Sequence, residues 1–107
     1  MSREVDLVLS DIEESATLVL AWCESETETT LFANRVLIDA VIRNLEVIGE
    51  ACKNVPTDVR LLAPDIPWRR VAGFRDVFVH GYFRIDAPAV WDVIRNACRN
   101  FWLRSGD

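Results

Sequence analysis

The 107 residues contain one histidine, three cysteines, four glycines and four prolines, and each scarcity closes off a class of protein. A zinc site takes at least three protein ligands, and Cys23, Cys52 and Cys98 each stand alone and far in sequence from His80, so no metal is expected. An odd number of widely spaced cysteines on apolar stripes suits free buried thiols better than disulfides. With few glycines and no repeat, linker or low-complexity tract, residues 1–107 read as one domain, large enough to bury a core of its own. No apolar run approaches the roughly 20 residues that cross a bilayer. The start, Met1-Ser2-Arg3-Glu4-Val5-Asp6, is acidic at once and resembles neither a signal nor a transit peptide, so the expected location is the cytoplasm, with no membrane contact.

Positive charge is also short. A net charge of −5 argues against a generally basic surface of the kind that draws nucleic-acid affinity from neutralised phosphates. The charge is uneven, however. Glu4, Asp6, Asp11, Glu13, Glu14, Glu24, Glu26 and Glu28 crowd the first 30 residues, whereas Arg69, Arg70, Arg75 and Arg84 crowd one later segment. A phosphate contact belongs in the later half.

What the chain does have is helical periodicity. Val5, Val8, Ile12, Ala16, Val19 and Cys23 line one face of a first helix from about residue 3 to 23. Thr27-Glu28-Thr29-Thr30 breaks the pattern. Leu37, Val41, Leu45, Ile48 and Cys52 then define a second helix from about 31 to 54, with Asn34 as an internal cap or kink and Pro56 beyond its end. Thr57 is placed to cap a short third helix reaching Ala63, and Pro64 to Pro67 punctuates the chain before a fourth helix that starts near Pro67-Trp68 and stops around Gly81. Asp86 or a neighbour caps a last helix whose apolar side is Val90, Ile94, Ala97 or Cys98, and Phe101, flanked by Trp91 and Trp102. Strands have no comparable support, because Val77-Phe78-Val79 is only three residues long in a helical context. The expectation is an all-α, up-and-down bundle of four to five helices.

The chemistry concentrates in Arg75-Asp76-Val77-Phe78-Val79-His80-Gly81-Tyr82. His80 is the one side chain that titrates near neutrality without perturbation, and a helix C-terminus favours its imidazolium form. On an ideal helix Arg75 and Tyr82 share a stripe two turns apart, with His80 offset by roughly 140° from Arg75. A glycine after His80 frees the backbone, so the Arg75 guanidinium and the His80 ring can converge on one phosphate, which the planar guanidinium binds through paired hydrogen bonds. In-line cleavage of RNA by the 2′-hydroxyl benefits from both a base and an acid, and one chain offers a single imidazole. A two-fold homodimer would bring two of each residue to one cleft. By residue type alone, His80 also fits a capping cation, Arg75 a solvated face or a local ion pair with Asp76, and Tyr82 a core residue with its hydroxyl at the rim.

Two stretches resemble a known family. Asp39-Ala40-Val41-Ile42-Arg43-Asn44-Leu45-Glu46-Val47-Ile48-Gly49-Glu50-Ala51 is similar to the second-helix signature of the HEPN superfamily, and within it of the HepT toxins. Ile66-Pro67-Trp68-Arg69, Gly73-Phe74-Arg75-Asp76-Val77, His80-Gly81-Tyr82-Phe83, Asp86 and Val90-Trp91 resemble its C-terminal half. The resemblance implies a homodimeric helical bundle with Arg75 and His80 as a metal-independent, cofactor-free ribonuclease motif at the interface, and Asp76 in the supporting polar position. It further implies RNA as substrate and a MntA-like nucleotidyltransferase antitoxin that transfers AMP onto Tyr82, in the manner of a type VII-like HEPN/MNT toxin–antitoxin pair. The alternative is a non-catalytic HEPN module that binds nucleotide or docks a nucleotidyltransferase through the same cleft.

Overall fold

The computed structural model describes residues 2–73 and 87–98, the side chain of Ala97 excepted. Helix α1 spans Arg3–Cys23, and its start is fixed by Ser2, whose Oγ accepts from the Val5 N–H at 3.2 Å. Glu4 and Asp6 in the first turn meet the positive end of the helix dipole. Ile12, Ala16, Val19 and Cys23 are buried as the periodicity requires, while Val5 and Val8 at the same face are half-buried.

The region expected to break the pattern instead starts a helix. Thr27 caps α2 (Glu28–Ala33) through a reciprocal pair: the Thr30 N–H donates to Thr27 Oγ1 at 3.1 Å, and the Thr27 N–H donates to Thr30 Oγ1 at 2.8 Å. Asn34, expected as an internal cap or kink, divides the helix expected over 31–54 into two. Its backbone is extended (φ −99°, ψ 96°), its N–H donates back to the Leu31 carbonyl at 3.1 Å, and its Oδ1 accepts from the Leu37 N–H at 3.1 Å. One residue thus closes α2 and opens α3 (Arg35–Lys53).

Helix α3 buries Ile38 and Ile42 in addition to Val41, Leu45, Ile48 and Cys52, a wider stripe than the spacing alone shows. Its most extensive neighbour is α1. Val8 and Asp11 of α1 share a shallow surface cleft with Val47, Glu50 and Ala51 of α3 and its cap residue Asn54, so the start of one helix lies beside the end of the other and the two run antiparallel. Arg60 meets a carbonyl in the last turn of α3, donating from Nη2 to Cys52 O at 2.7 Å, and one just past the helix, donating from Nε to Val55 O at 2.9 Å.

Helix α4 is a single turn, Thr57–Arg60, shorter than the expected reach to Ala63; Pro56 occupies the cap position and Thr57 is the first helical residue. Ala63 and Ile66 turn into the core, and helix α5 begins at 68, described through 73, with Trp68 Nε1 donating to the Ala63 carbonyl at 3.0 Å. Helix α6 (Ala87–Asp92) runs into a π-helical segment, Val93–Cys98, which the sequence does not announce. Val90, Val93, Ile94 and Cys98 are buried there against α1 and α2. The described residues form an all-α bundle of six helices with no strand among them. The stop at Gly81, the cap at Asp86, and Phe101 and Trp102 lie outside the described residues.

Candidate functional site

Arg75, Asp76, His80 and Tyr82 lie outside the described residues, so the structure tests none of their roles. What it does supply is the frame on either side of them. Helix α5 is described through 73 and α6 from Ala87, and the motif is the sequence between.

Across that frame Arg70 Nη1 of α5 lies 2.6 Å from Asp92 Oδ2 at the end of α6. The second oxygen of the same carboxylate, Oδ1, accepts from Asn96 Nδ2 one turn further on. Asp92 is therefore held from both sides, by a charge on one helix and an amide on its own. Beside it the Arg95 guanidinium lies over the Trp91 ring, 4.5 Å from the centroid, and donates from Nη2 to the Glu26 carbonyl at 3.3 Å. This ties the π-helical segment to the turn between α1 and α2.

The positive charge follows the same division. Residues 68–107 carry seven arginines against four aspartates, whereas residues 1–67 carry five basic residues against thirteen acidic ones. A chain with net charge −5 thus has a basic C-terminal part in which a polyanion would find its counter-charge.

The thiols behave differently from this flank. Cys23, Cys52 and Cys98 are free and buried. Burial pushes Cys23 up to about 11 and Cys52 and Cys98 up to about 12, so all three are protonated and unreactive at neutral pH. Among the described residues no group of histidine, cysteine or carboxylate side chains is arranged to hold a metal ion, and no helix is long and apolar enough to cross a membrane.

Sequence reasoning missed Arg70, Asp92, Asn96, Trp91 and Arg95 as a connected set. The pairs Asp92/Asn96 and Trp91/Arg95 share the i, i+4 spacing that brings side chains together on a helix and could have been found. The link from Arg70 to Asp92 spans 22 positions and has no local signature.

Comparison with known proteins decides the family. Residues 12–101 match the family model described as "Ribonuclease HepT-like", a span that includes both the frame and the motif between its helices. The chain belongs to the HepT-like ribonuclease family. The HepT-like chain is 37% identical over 95 residues to a "Probable ribonuclease HepT" of Thermococcus cleftensis, covering 89% of this chain and 86% of that protein. It is 38% identical over 95 residues to a "Gamma-glutamylcyclotransferase and putative RNase" of Methanocaldococcus jannaschii, covering 89% of this chain but 43% of that longer protein. The chain thus spans less than half the length of the second relative and most of the first. No solved structure matches it.

Proposed function

We propose that this HepT-like chain is a metal-independent endoribonuclease, the toxin of a type VII-like HEPN/MNT toxin–antitoxin pair, acting in the cytoplasm as a homodimer of single-domain protomers spanning 1–107. The observation that carries the reading is the family match over 12–101, within which Arg75, His80 and Tyr82 keep the R-x4-H-x-Y spacing. Arg75 grips the scissile phosphate and offsets the charge that builds on its oxygens, and Asp76 supports that arginine. His80 moves the proton. The 2′-oxygen attacks phosphorus and loses its proton, the bond from phosphorus to the 5′-oxygen breaks, and that oxygen leaves with a proton. The products are a 2′,3′-cyclic phosphate and a 5′-hydroxyl. Because base and acid are both needed and each chain has one histidine, the two His80 residues of a dimer divide the work.

Tyr82 is the switch. A nucleotidyltransferase antitoxin directs the Tyr82 phenolic oxygen at the α-phosphorus of ATP; the new phosphorus–oxygen bond forms as the bond to the β-phosphate bridge breaks, and pyrophosphate and the phenolic proton depart. The added phosphate then pairs with the cations meant for RNA and fills the cleft. The test is expression with and without the partner. The chain alone slows growth and degrades RNA, His80→Ala does neither, and the co-expressed protein gains mass in multiples of AMP that Tyr82→Phe abolishes. Equal growth and equally intact RNA with the wild type and His80→Ala would overturn the proposal.

A further inference from the structure

In sequence the motif, 75–82, lies between the described part of α5 and the start of α6. Where reacting groups sit depends on how firmly the elements that lead into and out of them are held to each other. Here a direct ion pair joins those elements: Arg70, five positions before Arg75, and Asp92, ten positions after Tyr82, meet at 2.6 Å. The pair is poorly placed to serve global stability. Its side chains are 51% and 39% exposed, and pairs of that exposure contribute little to folding. Its construction is nonetheless specific. The Asp92 carboxylate uses one oxygen for Arg70 and the other for Asn96, so the acid is oriented by its own helix before it meets the arginine. The same helix changes here to a π-helical register over Val93–Cys98, a local distortion frequent at functional sites.

We infer that Arg70, Asp92 and Asn96 form a positioning clamp that fixes the spacing of α5 and α6 and thereby sets the placement of the motif between them. The inference rests on the ribonuclease reading for its effect on activity, though not for its effect on the helices. The clamp residues do not touch RNA; they act through Arg75 and His80. Arg70 is an arginine in a basic segment and invites the rival assignment of a phosphate ligand, and the two roles predict opposite behaviour of its partner. If Asp92 is half of a clamp, neutralising it loosens the frame and slows the reaction. If Asp92 merely masks a phosphate-binding arginine, neutralising it frees that charge and tightens RNA binding.

The experiment therefore uses Arg70→Ala, Asp92→Asn and the exchanged pair Arg70→Asp with Asp92→Arg, in which Asn96 can turn its amide to offer an oxygen instead of an NH2 group. With single-stranded RNA as substrate, each single variant lowers kcat about tenfold with KM little changed, within the range of up to about a hundredfold that an ångström of misplacement costs. The exchanged pair recovers most of that loss, which a phosphate-binding Arg70 would not allow. A second readout needs no activity: spin labels at Arg69→Cys and Pro88→Cys, both exposed positions, report the spacing of α5 and α6, the three native thiols being buried and protonated. Their distance distribution broadens in Asp92→Asn and narrows again in the exchanged pair. An RNA-inactive wild type with this broadening would sink the ribonuclease reading and keep the clamp. Unchanged distances, or a KM that falls in Asp92→Asn and rises in Arg70→Ala, would overturn the clamp.

Discussion

The α1/α3 pair and the α5/α6 flank are built on opposite plans. Along α1 and α3 the contact is an apolar seam of Ile12, Ala16 and Val19 on one helix and Val41, Leu45 and Ile48 on the other, with an acidic exterior on α1. Between α5 and α6 runs an ion pair of partly exposed side chains, and next to it, within the last helix, the Arg95 cation stacks on the Trp91 indole. Burial of apolar surface is strong and undirected, whereas charge and hydrogen bonding contribute little net stability but fix orientation. On the proposed reading, stability rests largely on the buried apolar seam, and the groups that meet a phosphodiester belong to the later arginine-rich part.

That division can be broken from the core side. Leu45 is 2% exposed, and Leu45→Ala removes its side chain from the seam. Denaturant unfolding of this variant is expected to show a loss of about 2–5 kcal/mol. RNA cleavage per folded molecule should stay near that of the wild type, because the seam supplies none of the reacting groups. A variant that lost activity while still fully folded would show that the two regions are coupled.

A smaller effect follows from the thiols. A group whose folded-state value is raised keeps its proton in the native protein after the unfolded chain has released it, so the native state gains stability that is fully present below the ordinary thiol value and is lost above it. For Cys52, raised from 9.0 to about 12, stability is level up to about pH 9 and falls as pH rises from there towards 12. The melting temperature measured between pH 8 and pH 10.5 should show this decline. The decline should be shallower in Cys52→Ala, and equal slopes in the two proteins would contradict it.

Much of the fold was legible because it rests on periodicity. The α1 stripe, the apolar face of α3 and the start of α5 at Trp68 all follow from spacing and punctuation, and the structure keeps them. Asn34, expected as an internal cap or kink, does cap a helix, and it divides the expected stretch into two; Thr27, placed where the apolar pattern breaks, caps a helix that the spacing did not show. The π-helical register at Val93–Cys98 was not legible either, since one extra residue per turn arises from packing and has no side-chain signature of its own. The motif residues Arg75, His80 and Tyr82 lie outside the described residues and their reading stands as a proposal, whereas the Arg70–Asp92 link was not legible, because it depends on how two distant helices come together.

The central claim is that Arg75 and His80 cleave RNA without a metal. Purified wild-type protein, incubated with single-stranded RNA in the presence of EDTA, is expected to produce fragments ending in 2′,3′-cyclic phosphate and beginning with 5′-hydroxyl. Arg75→Ala and His80→Ala, folded as judged by circular dichroism, are expected to produce none above background. Cleavage by His80→Ala at the wild-type rate, or no cleavage by any of the three proteins, would contradict the account.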